Sequence, residues 1–333
     1  MIPTQTRLDG LLAAKLTPPD ETAFDAFVAT ARSGHYTQTR AWARVATAAG
    51  SFQALHFLAR RGERVAGAGV LLRTRLFGLP LAFAQLERGP VAASLEDLPE
   101  VLAALRRRCL ERGIVRLSVM PYWDGEDRFK AQAILSEAGF ADCQRFAGRH
   151  ARTLRLDLDA LDAANPWNSS GLAKVRQNIG RARRAGATAR PGRREDVAAF
   201  RTMQASLLAG EGRKPPPQAW YDALGEYFLA PGQAMFVGEF QGAPVSVIFI
   251  TLHNGVATYA LGASSGQRME FAKTVLPMTA AILWAREAGA HTFDMGGIPM
   301  PGDDDAKRAS IAEFKHSYSR TEAQLVHEHV RWF

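Results

Sequence analysis

Cysteine is scarce in this chain of 333 residues, which contains only Cys109 and Cys143. Two cysteines build neither a disulfide framework nor a zinc-ligand spacing. We expect both to be small buried residues in a reducing compartment. The eight histidines do not cluster. His327 and His329 would share one face of a strand, but two isolated ligands are more typical of surface residues, so the sequence predicts no metal site.

Long apolar runs are also missing. The longest strongly apolar run, Val245–Leu252, is far shorter than the ~20 residues that cross a bilayer, so we expect no transmembrane segment. The N-terminus has only a brief apolar patch, Leu11–Ala14, between Asp9 and Lys15. This pattern argues against a signal peptide, and the sequence predicts a cytoplasmic protein.

Lysine is the minor cation, since only seven of the 41 basic residues are lysines, and the net charge is +8. The positive excess is concentrated in Leu172–Arg194, which holds eight basic residues and no acidic one. A concentrated positive face attracts polyanions such as nucleic acid, nucleotide diphosphates or an anionic membrane. A solvated face without a ligand is the alternative.

Two stretches of the chain share one order of predicted elements. Phe57–Leu72 indicates two alternating strands around a glycine-containing turn, and Phe236–Ile250 indicates the same. Each is followed by a helix that runs through a glycine into a strand. These helices and strands are Leu98–Arg112 and Val115–Met120 in the first half, and Thr274–Ala288 and His291–Met295 in the second.

This order is that of the N-acetyltransferase (GNAT) fold. The duplication therefore predicts an α/β (α+β) protein with tandem GNAT-like domains, each a mixed sheet flanked by helices. We place the first domain at 1–152, with the break near Arg149–Arg152, and the second at 153–321, opening with the strand Thr153–Leu158. In an alternative placement, the C-terminal strand, about 322–333, returns to the first domain. One larger mixed α/β domain is the alternative.

A helical block lies between the two copies. The basic segment 172–194 contains a predicted helix at Lys174–Ala185, ended by Gly186. A second helix is predicted at Arg193–Leu208, closed by Gly210 and the prolines 215–217. No long charged heptad pair follows, so we expect no coiled-coil arm.

One constellation near the C-terminus carries candidate chemistry. A strand that ends in Gly296-Gly297 allows close approach to its backbone, because no Cβ intrudes. An acidic loop (299–307) then leads to Lys315, which is flanked by Phe314 and Tyr318. On residue types alone, Lys315 would be a snorkelling lysine on a half-buried strand.

Five short motifs occur in one order along the chain. They are Tyr36-Thr-Gln-Thr-Arg-Ala-Trp42-Ala-Arg-Val45, Glu87-Arg-Gly-Pro-Val91, the basic run Lys174–Gly186, Asp294-Met-Gly-Gly-Ile298 and Phe314-Lys-His316. Together they resemble the Fem family of peptidoglycan-bridge aminoacyltransferases. Members of that family move an amino acid from aminoacyl-tRNA onto the stem peptide of a cell-wall precursor.

The resemblance implies roles for particular residues. Lys315, with its neighbour Phe314, would be the catalytic pair, the lysine stabilising the oxyanion of the transition state. The implied substrate-binding residues are Trp42, Arg44, Arg213, Lys214, Trp220, Tyr259, Asp294, Gly296 and Gly297. The implied contacts to tRNA or phosphate are Lys174, Arg176, Arg181, Arg183 and Arg184.

The implied partners are aminoacyl-tRNA and a peptidoglycan precursor or another amine-bearing peptide, with no cofactor. The basic segment would also suit peripheral contact with the anionic inner membrane. Three family positions differ, because Ala46 and Pro216 replace phosphate-binding cations and Met120 replaces a carboxylate. The sequence offers no dedicated general base.

Two other functions stay open. An acyl-CoA-dependent N-acyltransferase needs a loop of the form Arg/Gln-x-x-Gly-x-Gly to cradle a pyrophosphate at a helix N-terminus. The candidate loop, Gly262–Lys273, lacks that spacing. A non-catalytic binding module on the same fold is the other alternative.

Overall fold

The computed structural model describes residues 8–143, 151–300, 302 and 306–333. Arg149 and His150, in the predicted domain break, and positions 301 and 303–305 of the predicted acidic loop lie outside the described residues. The strands are β1 (Asp9–Ala13), β2 (Phe52–Arg61), β3 (Arg64–Leu76), β4 (Leu79–Leu86), β5 (Val91–Ala92), β6 (Arg116–Val119), β7 (Ala141–Asp142), β8 (Arg152–Asp157), β9 (Thr188–Pro191), β10 (Gln233–Phe240), β11 (Ala243–His253), β12 (Val256–Ser264), β13 (Thr292–Gly297), β14 (Glu322–Gln324) and β15 (His329–Trp332). The helices are α1 (Pro18–Thr30), α2 (Arg40–Thr47), α3 (Leu98–Glu111), α4 (Gly125–Glu137), α5 (Ala173–Arg184), α6 (Asp196–Gly210), α7 (Gln218–Phe228), α8 (Val275–Glu287) and α9 (Ala306–His316).

The chain forms two compact units, one of Met1–Ala151 with Ala323–Phe333 and one of Arg152–Glu322. The first unit has the sheet order β1-β2-β3-β4-β6-β15-β7, with β5 paired to β3. The second has the order β14-β8-β13-β12-β11-β10-β9. Followed from opposite ends, the two orders match strand for strand, which confirms the predicted duplication.

Each sheet contains one parallel pair next to a run of antiparallel strands. In the first unit, Phe83–Leu86 of β4 pairs with Arg116–Val119 of β6. In the second, Val256–Thr258 of β12 pairs with Thr292–Asp294 of β13. Parallel neighbours need a crossover connection. Helix α3 provides it between β4 and β6, and helix α8 provides it between β12 and β13.

Helices cover both faces of each sheet. In the first unit, α3 and α4 contribute to one core and α1 and α2 to another. In the second, side chains of β11 alternate between the faces, so Ile248 belongs to the core under α5 and α8. Phe249 points to the opposite face, 4.7 Å from Phe200 of α6 and 4.8 Å from Phe228 of α7 between ring centroids. Truncating such a buried ring to alanine costs about 3–5 kcal/mol.

One sequence prediction is confirmed and another needs correction. The predicted helix at Lys174–Ala185 is α5, which ends at Arg184, and Gly186 takes a φ of +85° that stops it, so the rest of the basic segment 172–194 lies outside this helix. The stretch around Lys315 is the last turn of helix α9 rather than a strand. Alanines at 306, 309 and 312 favour the helix there, and the apolar spacing near Lys315 is compatible with either period.

Candidate active site

β12 and β13 pair with each other, and each is irregular on the side that faces its other neighbour. Opposite β11, Phe249 pairs with Leu261 and Ile250 with Tyr259, so Ala260 is an extra residue in β12. Opposite β8, the pairing of β13 also shifts between Asp294 and Gly297. Bulges redirect side chains and commonly lie beside functional sites. Both bulges here lie where the two parallel strands end, the edge at which open α/β sheets bind ligands.

Asp294 organises the bulge of β13. Its Oδ1 accepts a hydrogen bond from the backbone N–H of Gly296 at 2.7 Å and another from the hydroxyl of Thr153. Its Oδ2 lies 3.6 Å from Nε of Arg155. The carboxylate is buried, and these partners supply the hydrogen bonds and charge that a buried carboxylate requires.

Lys315 brings its ammonium group to the same place from helix α9. Its Nζ donates a hydrogen bond to the carbonyl oxygen of Gly297 at 2.8 Å and lies 5.8 Å from the ring centroid of Tyr259. The residue is only 6% exposed. An ammonium group has three donors. Among the described residues only Gly297 accepts from it, so two donors remain for a ligand.

Burial sets the electrostatics of this lysine. Desolvation lowers the pKa of Lys315 from 10.5 to about 8, and the negative charge of Asp294 opposes that shift. With such a pKa the side chain is roughly nine-tenths protonated at pH 7. It is therefore a buried cation that is only weakly hydrated, the kind of group that interacts strongly with a developing negative charge.

Close packing surrounds the ammonium group. Gly296 has a φ of +77°. A Cβ at this position would lie 3.1 Å from the carbonyl oxygen of Tyr259 and 3.4 Å from Nζ of Lys315. The Tyr259 ring rests against Gly262, where a Cβ would collide with its hydroxyl, and burial raises the pKa of Tyr259 to about 12. A side chain at Gly296 or Gly262 would therefore crowd its neighbours, so both positions need glycine.

Sequence comparison gives two family matches on this chain. The FemAB family profile matches residues 20–146, and the profile of the acetyltransferase (GNAT) domain matches residues 173–308. The second match contains β13 and its glycines, and the first contains the Tyr36–Val45 and Glu87–Val91 motifs. The two matches support a Fem-type protein of the GNAT fold. The two matches support an acyltransferase.

Several solved structures share the fold of this chain. FemX is similar with a TM-score of 0.77 and 16% identity, over 98% of this chain and 97% of FemX. The C-terminal domain of a protein described as a lysylphosphatidylglycerol synthetase, from Agrobacterium fabrum, has a TM-score of 0.59 and 17% identity, over 94% of this chain and 91% of its own. A tandem GNAT protein from the clavulanic acid biosynthesis pathway has a TM-score of 0.56 and 12% identity, over 97% and 98%. At these identities the likeness concerns the fold. No curated protein sequence matches the chain.

Three predicted substrate-binding residues of the second unit, Arg213, Lys214 and Trp220, make their contacts away from Lys315. Arg213 and Lys214 are exposed in the connection before α7, and Arg213 pairs with Glu211 at 3.1 Å. Trp220 lies on α7 with its ring edge-to-face on Tyr221. Within the described ranges, no hydrogen bond or ion pair joins these three residues to Lys315, Asp294 or Tyr259.

Phe314 does not contact the ammonium group in the way a paired catalytic residue would. It is partly buried against the core and packs edge-to-face on Tyr318 at 5.4 Å between ring centroids. Since Phe314 and Tyr318 are one helical turn apart, this contact secures the end of α9.

In the first unit, two of the Fem-type motifs contact each other. The Gln38 side chain donates to the carbonyl oxygen of Glu87 at 2.6 Å and accepts from the N–H of Val70 at 2.8 Å. A Cβ on Gly89 would lie only 2.5 Å from the Gln38 amide. Trp42 and Arg44 follow on α2. The Trp42 ring packs edge-to-face on Tyr36, and Arg44 is exposed.

The basic segment divides into paired and unpaired cations. Lys174 pairs with Glu313 at 2.7 Å, and Arg176 donates to the carbonyl oxygen of Trp167 at 3.0 Å. Arg190, on β9, is held by Asp196 and Glu239. The side chains with no hydrogen bond or ion pair among the described residues are Arg181, Arg183 and Arg184, all exposed in the last turn of α5.

Sequence reasoning missed Thr153 and Arg155, the β8 residues that hold Asp294. The predicted strand Thr153–Leu158 alternates, so Thr153 and Arg155 share the face opposite Leu154 and Leu156. The sequence marks that face as polar and gives no signal that it packs beside Asp294. The described residues contain no group of three His, Cys, Asp or Glu side chains that could hold a metal ion. None of the described helices is long and apolar enough to cross a membrane.

Proposed function

We propose that this protein is an aminoacyltransferase that moves an amino acid from aminoacyl-tRNA to an amine of a peptidoglycan stem peptide or a similar peptide. The observation that carries the proposal is the buried ammonium group of Lys315, with two donors left for a ligand at the end of β13. The reaction would take place in the cytoplasm, where aminoacyl-tRNA is found, and needs no cofactor.

The chemistry uses a charge that exists only during reaction. The acceptor amine attacks the ester carbonyl that joins the amino acid to tRNA, and a tetrahedral oxyanion forms. The C–O ester bond then breaks, an amide bond replaces it, and the ribose hydroxyl leaves with a proton. A fixed cation beside the oxyanion lowers this barrier because it binds the transition state better than the substrate. Lys315 supplies that cation.

The β13 bulge would position the reacting carbonyl. Gly296 and Gly297 expose backbone without a Cβ, and Asp294 holds the turn that leads to them by accepting from the N–H of Gly296. The Tyr259 ring forms one side of the space around the ammonium group. We assign proton removal from the amine to no side chain of the protein.

The donor and acceptor contacts follow from charge. Arg181, Arg183 and Arg184 are exposed and have no carboxylate partner in the described part of the chain, so they are available to the phosphates of tRNA. Trp42 and Arg44 of the first unit are candidates for an acceptor contact. Arg213, Lys214 and Trp220 of the second unit are separate candidates. Guanidinium and ammonium groups suit the phosphates of the acceptor, and indole rings suit its sugar or peptide surface.

The test is a transfer assay with the full chain. Aminoacyl-tRNA charged with a labelled amino acid is incubated with a muropeptide that bears a free amine, and mass spectrometry detects the extended peptide. We expect product with the wild type and about 10²–10³-fold less with Lys315→Met, the usual effect of removing an oxyanion donor. Lys130→Met, which removes an exposed lysine of α4, is the matched control and should keep full activity.

One rival has an observation in its favour, the GNAT-domain match over residues 173–308. That rival is an acyl-CoA-dependent N-acyltransferase. If labelled acetyl-CoA is consumed with the same acceptor and aminoacyl-tRNA is not, the rival is correct and our proposal is wrong. If neither donor is consumed but tRNA or muropeptide binds, the protein is a binding module.

A further inference from the structure

The hairpin between β3 and β4 ends in an unusual turn. Leu76 and Leu79 are the last paired residues, and Phe77 and Gly78 form the turn with φ values of +50° and +80°. Two positive φ values in a two-residue hairpin loop define a type I′ turn, whose central positions favour Asn, Asp and Gly. Phenylalanine is a poor choice there, because its Cβ crowds the backbone in this conformation.

The turn does not gain packing from Phe77. This side chain is 95% exposed, the most exposed large apolar residue among those described. A residue that strains the backbone and contacts almost nothing within the protein is not explained by folding. An observed outlier of this kind points to a function outside the fold.

Apolar surface continues from the tip along the sheet. Leu76 and Leu79 are 53% and 70% exposed, and Trp332 of β15 is 64% exposed. Phe83 of β4 packs edge-to-face on Trp332 at 5.9 Å between ring centroids. Soluble proteins rarely expose several large apolar side chains together unless they form a contact site. We call Leu76, Phe77, Leu79, Phe83 and Trp332 the apolar tip.

The cations around the apolar tip are arginines. Arg73 donates to the carbonyl oxygen of Leu81 at 2.6 Å, and Arg75 donates to that of Gly78 at 3.0 and 2.6 Å. Carbonyl groups hold these side chains without neutralising their charge.

The β3–β4 hairpin is positive as well as apolar, because it contains arginines and no acidic residue. Arg116 lies over the Trp332 ring, 5.8 Å from its centroid. The sequence has no acidic residue from Val65 to Leu86. No ion pair joins Arg73, Arg75 or Arg116 to a carboxylate within the described residues.

We propose that the apolar tip docks this protein on an anionic lipid surface. Phe77, Leu76 and Leu79 would enter the boundary between headgroups and acyl chains, and the arginines would lie at the level of the lipid phosphates. Charge complementarity selects this partner, because apolar contact combined with unneutralised arginines suits anionic lipid. A second copy of the chain is disfavoured, since two tips of equal positive charge repel each other.

The apolar tip and the basic segment 172–194 would bind a membrane through different interactions. The three unpaired arginines of α5 offer charge, whereas the tip offers charge and apolar insertion together, and stable membrane binding generally requires two signals. The inference does not depend on the transfer reaction, because it concerns the first unit and needs no catalytic residue.

The test is sedimentation of the full chain with vesicles. One set contains phosphatidylglycerol mixed with phosphatidylcholine, and the other contains phosphatidylcholine alone. We expect binding to the anionic vesicles, weakening with salt, and little binding to the neutral ones. Phe77→Asn should lower the partition coefficient about tenfold, as expected from removing a large buried apolar side chain. The same substitution should leave the Tm unchanged or raise it, since Asn suits the turn.

Matched controls make the outcome decisive. Phe129→Gln removes another exposed aromatic ring, 62% exposed on α4, and should leave vesicle binding unchanged. A variant with Arg181, Arg183 and Arg184 changed to Ala should also still bind. The proposal is overturned if the wild type does not bind anionic vesicles or if Phe77→Asn binds them like the wild type. It is also overturned if the variant lacking Arg181, Arg183 and Arg184 loses binding and Phe77→Asn does not. It is also overturned if Phe77→Asn converts a dimer to a monomer while vesicles have no effect, because the tip would then be a contact between copies.

Discussion

The ammonium group of Lys315 and the carbonyl oxygen of Gly297 are joined by a 2.8 Å hydrogen bond. This bond connects the last turn of α9 to the end of β13. It fixes a buried cation beside a strand end that has no Cβ for two residues. The cation, its low hydration and its neighbour Asp294 lead to specific predictions.

Lys315→Met should stabilise the fold while removing activity. Burial lowers the pKa of Lys315 from 10.5 to about 8, which corresponds to a destabilisation of about 3 kcal/mol whenever the lysine is charged in both states. Methionine has similar length and no charge. We therefore expect a gain of roughly 1–3 kcal/mol at pH 7, measured by denaturant unfolding.

The sign of this effect can be checked with pH. The unfolded lysine keeps its proton up to about 10.5 and the folded one up to about 8. The wild type should therefore gain stability relative to Lys315→Met as the pH rises from 8 to 10.5, and the difference should be constant below 8. A difference that does not change across this range would contradict the burial of a charged lysine.

The transfer rate should fall on the alkaline side with an apparent pKa near 8, because only the protonated Lys315 can stabilise an oxyanion. In Lys315→Arg the charge persists to high pH, so this alkaline limb should disappear even if the rate is lower. The measurement is kcat/KM against pH for both proteins. An identical limb in both would assign it to another group.

Asp294→Asn should shift the same limb to lower pH. The carboxylate raises the pKa of Lys315, so its neutralisation leaves desolvation unopposed and the lysine loses its proton earlier. A pH profile distinguishes this from simple damage to the bulge, which would lower the rate at every pH. Asp222→Asn, an exposed carboxylate of α7, should keep the wild-type profile.

Gly296→Ala should destabilise the protein and impair transfer. Its φ of +77° costs an L-residue about 1–2 kcal/mol, and the new methyl group would crowd Tyr259 and Lys315. Thermal unfolding and the transfer assay measure the two effects. Gly210→Ala, where a Cβ meets nothing within 4 Å, is the control and should be neutral or slightly stabilising.

Changing Arg181, Arg183 and Arg184 to Ala should weaken tRNA binding and flatten its salt dependence. Each phosphate contact removed lowers the slope of log affinity against log salt by about 0.7–0.9. Filter binding at several salt concentrations measures this slope. Removing three exposed cations elsewhere, Lys15, Arg112 and Lys130, controls for net charge. Equal losses in both variants would mean that α5 has no specific role, and its arginines would then serve only its helix dipole.

The sequence alone determined the repeated pattern of the fold and pointed to the catalytic lysine. Period-two runs and glycine-ended helices gave α3, α8 and the strands after them to within a few residues, because local backbone chemistry decides such elements. The ordered motifs gave Lys315 its candidate role. The sequence of the β3–β4 hairpin contains apolar residues and arginines and no acidic residue. Sequence alone does not show whether such a strand end is exposed or buried, so the apolar tip could not be predicted.

Tertiary structure alone decided the environment of that lysine. Periodicity around Lys315 fitted a strand as well as a helix, and only packing placed it on α9 with its ammonium group on Gly297. The partners of Asp294 come from β8, about 140 residues earlier in the chain, and β15 pairs with β6 across a still longer separation. Such contacts depend on chain topology, which local propensity does not encode. The burial that lowers the pKa of Lys315 is therefore a property of the folded chain.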